Sequence, residues 1–119
     1  MLSMLALTWA PLFAQQEIPI PRSVGGDQGR YTLLEATRTG DIARSTHKRV
    51  GPSGTGYTKM EINCRTMRVR DLGYSEESEA AIRESPTKWF ELVNGSSKSD
   101  VATFVCKRTE RATTRRKNS

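Results

Sequence analysis

Residues 57–74 read YTKMEINCRTMRVRDLGY, and this stretch decides the fold. Met60, Ile62 and Cys64 alternate with Lys59, Glu61 and Asn63. A period of two puts the first set on one face of a strand and the second on the other, the pattern of a half-buried strand. Arg65-Thr66 can turn the chain. Residues 67–74 (MRVRDLGY) alternate again, with Met67 and Val69 on one side and Arg68 and Arg70 on the other. The alternation slips between Val69 and Leu72, which predicts a β-bulge near Asp71. Two alternating runs joined by a short turn predict an antiparallel hairpin.

The flanking sequence extends this hairpin into a sheet. Upstream, residues 51–56 (GPSGTG) read as a glycine-rich turn. Residues 41–50 (DIARSTHKRV) alternate only weakly, with Ile42 and Val50 as the clear apolar points. Their charge predicts an outer strand at a sheet edge. Thr39-Gly40-Asp41 is a turn signal, and residues 31–36 (YTLLEA) predict a first strand. Residues 15–30 contain Ile18-Pro19 and Ile20-Pro21, which favour extended backbone. They predict an irregular arm whose Ile18 and Ile20 touch the domain.

Downstream, residues 75–85 (SEESEAAIRES) predict a loop with a helical turn, ended by Pro86. Residues 89–93 (WFELV) predict a last strand, and Asn94-Gly95-Ser96 a turn. Residues 97–107 predict a helix. Serines and Asp100 suit its N-terminus, and Val101, Phe104 and Val105 form an apolar stripe at i, i+3, i+4. The expected fold is α+β: a small antiparallel β-sheet with a C-terminal helix packed on one face, in a single domain over residues 31–106.

The two ends of the chain have a different character. Residues 1–14 (MLSMLALTWAPLFA) carry no charge, and their apolar run is too short to span a bilayer, which takes about 20 residues. They read as a signal peptide, with Ala14 as the small residue before the cut; the alternative is a short buried strand or helix. The lack of Lys or Arg before the apolar run leads to the expectation that the leader begins further upstream. At the other end, residues 107–119 (KRTERATTRRKNS) hold six basic residues and one Glu, so this tail carries +5 of the chain's net +6. With no apolar side chain larger than Ala112, it is expected to be a disordered basic tail. It either solubilises the chain or attracts polyanions such as lipopolysaccharide, anionic lipid, glycosaminoglycan or nucleic acid. Export makes nucleic acid the least expected of these.

The 119-residue chain has two cysteines, Cys64 and Cys106. In an exported small domain they would form one disulfide; two free thiols are the alternative. The bond would close a loop of about 42 residues, worth about 4 kcal/mol in chain entropy. Neither catalysis nor metal binding finds a pattern. His47 is the only histidine, no CxxC or HxxxH spacing exists, and no GxSxG elbow is present. His47 is expected to be an exposed surface residue. GPSGTG lacks the Gly-Lys-Ser/Thr ending of a phosphate loop. Glu76, Glu77, Glu79 and Glu84 lack calcium-loop spacing. No enzyme activity, cofactor or metal is expected. Tyr31, Tyr57 and Tyr74 together with Arg65, Arg68 and Arg70 are one candidate cationic–aromatic sheet face; ordinary outward strand residues are the alternative.

The motif order across residues 31–106 resembles the bacterial surface-adhesin protein E family. The residues that carry the resemblance are KMEINCRTMRVRDLGY, then Trp89, then NGS at 94–96, then DVATFVC ending at Cys106, with TRTGDIAR at 37–44 similar to an early hairpin. The resemblance implies an exported antiparallel sheet with a C-terminal helix and a Cys64–Cys106 disulfide. The best-known members bind extracellular host proteins. This chain differs from them in its polar stretch at residues 45–48, in Asn-Gly-Ser where Pro-Gly-Ser is usual, and in having no lipid-anchor cysteine.

The expected function is that of an exported, non-enzymatic binding protein at the surface or in the periplasm of a Gram-negative bacterium. Its partner would be an extracellular or envelope protein or an anionic surface. Arg65, Arg68 and Arg70 on the sheet, with Lys107, Arg108, Arg111, Arg115, Arg116 and Lys117 in the tail, are the expected partner-binding residues. The alternative is an accessory subunit of an envelope complex, in which strand 41–50 pairs with another chain.

Overall fold

The computed structural model describes residues 17–23 and 25–118, with side chains through residue 110. The expected signal peptide, residues 1–14, lies outside the described residues. Six strands form one sheet: β1 (Ile18–Pro19), β2 (Arg30–Thr39), β3 (Ile42–Gly51), β4 (Gly54–Asn63), β5 (Arg68–Ser75) and β6 (Phe90–Glu91). They lie side by side in chain order, each antiparallel to the next. A single helix, α1 (Ser97–Asn118), follows them. This is the α+β fold expected. No helix among the described residues is long and apolar enough to cross a membrane.

The β4–β5 hairpin forms where the alternation places it. Met60, Ile62 and Val69 are fully buried on the helix side. Their neighbours face the other way, where Arg70 Nη2 meets Glu61 Oε1 at 2.8 Å. The bulge falls at Leu72: Met60 pairs with Asp71 while Lys59 pairs with Gly73. Asn63 builds the turn, its Oδ1 accepting the Arg65 and Thr66 N–H groups at 3.0 and 3.1 Å. Asparagine side chains favour such turns because they mimic a backbone acceptor. Met67 sits in this turn at φ 58 rather than opening the strand as expected.

One strand expectation is overturned. β3 pairs with β2 on one side and β4 on the other, so residues 41–50 lie in the middle of the sheet. Ala43, Ser45, Thr46 and His47 are buried. The charges that suggested an edge are instead each met by an acid. Arg44 Nη2 donates to Glu84 Oε1 and Oε2, both at 2.7 Å, and Lys48 Nζ lies 3.0 Å from Glu17.

The core lies between the sheet and α1. Tyr31, Leu33, Ala43, Met60, Ile62 and Val69 meet Val101, Ala102 and Val105, with Ile20 of the arm closing one end. The arm is thus partly ordered: β1 pairs with Thr32 and Leu33, and Arg22 Nε donates to Asp100 Oδ2 at 2.7 Å. The helix also departs from expectation. It continues past Lys107 into the segment expected to be disordered. Ala, Arg, Lys and Glu are good helix formers, and Arg38 Nη1 donates to Thr109 Oγ1 at 3.1 Å, holding this turn to β2. The disulfide joins Cys64, at the start of the β4–β5 turn, to Cys106 on α1, with Cα atoms 5.6 Å apart.

The opposite face is covered in part by the loop between β5 and β6. The Ser85 N–H donates to the Leu72 carbonyl at 2.6 Å, and the Thr87 N–H to Asp71 at 2.9 Å. Gly73 is required by this approach, because a Cβ there would stand 2.7 Å from the Arg83 carbonyl oxygen. The Glu79 carboxyl is pushed up to about 7 by its hydrogen bond with Glu35, by partial burial and by the Glu35 charge, against the pull of Lys59. An acid whose folded pKa is raised favours the fold below its ordinary pKa of 4.5 and loses that contribution as pH rises toward 7. Glu79→Gln should therefore raise stability at pH 8 and leave it unchanged at pH 4. Glu79 is only half-buried and Glu35 is exposed, so the gain should stay below about 1 kcal/mol. Urea unfolding at both pH values checks this.

Candidate binding cleft

The expected arginine surface does not assemble. Val69 faces the helix, so alternation sends Arg68 and Arg70 to the opposite face of the sheet. There Arg70 is neutralised by Glu61 and stacks over Trp89 at 5.0 Å. Arg68 is exposed beside Glu91 of β6. Arg65 lies in the β4–β5 turn, where its Nε donates to Asp41 at 3.1 Å. Lys107 and Arg108 are exposed on α1, on the other side of the molecule. Arg111, Arg115, Arg116 and Lys117 have side chains outside those described. The sheet arginines and Lys107 and Arg108 therefore cannot contact one flat partner together. The proposed cationic–aromatic face also divides, since Tyr31 belongs to the helix-side core while Arg68 and Arg70 face away from it.

The structure offers a different site. α1 begins at Ser97, partway along the sheet, and leaves the ends of β2 to β5 near the β3–β4 turn uncovered on the helix side. The space is a cleft of about 450 Å³. Its floor is Tyr31, His47 and Thr58; its rims are the 53–56 turn and Tyr74 on one side and Ser97-Lys98 on the other. Turn and strand glycines shape it. The phenol end of Tyr74 lies over Gly56, where an added Cβ would stand 2.7 Å from ring atom Cε1. Its ring is held on its backbone side yet 57% exposed overall. The Arg49 guanidinium is seated the same way on Gly29 and Gly51.

No family model matches the sequence, and neither a curated protein nor a solved structure matches the chain. The cleft is therefore read from its own chemistry.

Its charges come in pairs. Arg49 Nη2 donates to Asp27 Oδ1 at 2.6 Å, and the Tyr31 hydroxyl donates to Asp27 Oδ2 at 2.5 Å. These bonds, with one from the Gly29 N–H, hold the Asp27 carboxyl well below the usual carboxylate range. Lys98 Nζ donates to both Asp71 oxygens at 2.7 Å. His47, expected on the surface, is 5% exposed, because its strand is interior and the Tyr31 ring stands 5.9 Å away. Burial, reinforced by the Lys98 charge, lowers its pKa to about 4 against a weaker opposite pull from Asp71. The imidazole is thus neutral at physiological pH. Its Nδ1 has no hydrogen-bond partner among the described residues.

Only part of this site could be found from the sequence. The GPSGTG turn and Tyr74 were visible as elements. Their meeting with the helix N-terminus depends on where α1 crosses the sheet, and nothing local encodes that.

Proposed function

We propose that this chain is an exported, non-enzymatic binding protein of the bacterial envelope, periplasmic or surface-displayed, similar in its motif order to the surface-adhesin protein E family. The observation that carries this reading is the Cys64–Cys106 disulfide, because such bonds persist in oxidising compartments and are rare in the cytosol. The apolar leader supports it. The test is the intact mass of protein from the periplasm of an expressing Gram-negative host, with and without reductant, after alkylation. The expected mass begins at Gln15 and shows no thiol modified before reduction. Full-length chain with two modified thiols would reject export.

One observation favours a second reading, the accessory subunit of an envelope complex. β1 covers only Thr32 and Leu33 on the outer side of β2, and among the described residues no strand pairs with 34–39 there. This edge, not residues 41–50, is where another chain could add a strand.

A further inference from the structure

We infer that the cleft between the β3–β4 turn and the start of α1 binds an uncharged, hydroxyl-rich ligand, a sugar unit of a glycan. The inference supplies a ligand class for the binding protein proposed above and rests on that reading.

Charge pairing argues against an ion as the ligand. Arg49 is occupied by Asp27, and Lys98 by both oxygens of Asp71. Glu76 on the rim adds a negative charge, and His47 is neutral. Each cation already faces a carboxylate, so a free anion would gain less attraction there than at an unpaired cation. A neutral ligand meets no such cost. It finds fixed dipoles from ion pairs already in place, which need no reorganisation on binding.

The uncharged lining matches hydroxyl groups. Ser53, Thr58 and Ser97 are among the lining residues, and a hydroxyl both donates and accepts. Sugar hydroxyls have the same dual character, so either partner can rotate to suit the other. Tyr74 supplies the apolar element. Its ring is braced on Gly56 and exposed on the rim, as a stacking platform for the C–H face of a pyranose should be. An aromatic ring is rigid, so it contributes contact area at low entropic cost. The cleft volume falls within the usual range for small-ligand sites, about 300–1,000 Å³. His47 stands on its floor, 95% buried, with Nδ1 unpartnered. A ligand that shields this ring further from water should lower its pKa again, whereas an anion beside it would raise it.

The test is an amide NMR titration of the purified chain with glucose, galactose, N-acetylglucosamine, chitobiose and maltose, and separately with inorganic phosphate. Because it uses purified protein, its result does not depend on export. At least one sugar should shift the amides of residues 54–58 and 97–98 at millimolar concentration, and phosphate should not. Tyr74→Ala should weaken that binding about fivefold or more, with the unfolding midpoint unchanged because the ring is exposed; Tyr74→Phe should retain it. If no sugar moves these amides, the inference fails. It also fails if phosphate moves them and sugars do not, or if Tyr74→Ala binds as the parent does.

Discussion

Reducing the Cys64–Cys106 disulfide should cost about 4 kcal/mol of folding stability, from the loop-closure entropy returned to the unfolded chain. The bond spans 42 residues of sequence. That segment holds the β4–β5 turn, β5, the covering loop, β6 and the first part of α1, which carries its buried residues Val101, Ala102 and Val105. A domain of this size has only about 5–15 kcal/mol in total, so the loss is a large share of what exists. Few core side chains come from α1: Val101, Ala102 and Val105 are its buried apolar residues. Small side chains give limited transfer energy, and the covalent link ties the helix that carries them to the β4–β5 turn. With urea slopes of about 1–3 kcal/mol per molar, the unfolding midpoint should fall by about 2 M. The Cys64→Ala, Cys106→Ala pair should match the reduced parent. A midpoint that reductant leaves in place would show that packing alone holds the helix.

How far the sequence reveals this architecture depends on whether a residue's partner is local. The hairpin of β4 and β5 was legible down to its bulge, because inward and outward positions alternate within a few residues and Leu72 breaks the count. The helix start was legible because Ser96 caps it: the Ser99 N–H donates to Ser96 Oγ at 3.1 Å. β3 was not legible. Its inward residues are Ala43, Ser45 and His47, none of them strongly apolar, while Arg44, Lys48 and Arg49 resemble the charges that guard an edge. Their partners Glu84, Glu17 and Asp27 lie far away in sequence. The same reason hid the cleft. Asp27 and Arg49, and Asp71 and Lys98, become neutral pairs only once the meander folds and the helix crosses it.

The burial of His47 should make the protein acid-sensitive in a defined window. Its ordinary pKa is 6.5 and its folded value about 4. Below 6.5 the unfolded chain takes up a proton that the folded chain refuses, so stability falls as pH drops from 6.5 to 4 and levels off below. The span converts to about 3 kcal/mol lost across the window, and nothing is lost above it. The charges that face the ring are Lys98 and Asp71, which oppose each other. Two other groups bear on the same measurement. Asp27 and Asp100 have depressed pKa values, so their contribution is lost only as pH falls below their ordinary value of 3.8. Glu79 acts in the opposite sense, its contribution growing as pH falls from about 7 to 4.5. Stability against pH should therefore be steeper in Glu79→Gln than in the parent, and nearly flat between pH 6.5 and 4 when His47→Gln is added. A glutamine there keeps a polar side chain of similar length and cannot titrate. The His47 Cε1 proton, followed by NMR, should remain at its neutral position down to pH 5. An imidazole that titrates near 6.5 would mean the ring is open to water, and the acid sensitivity would then need another source.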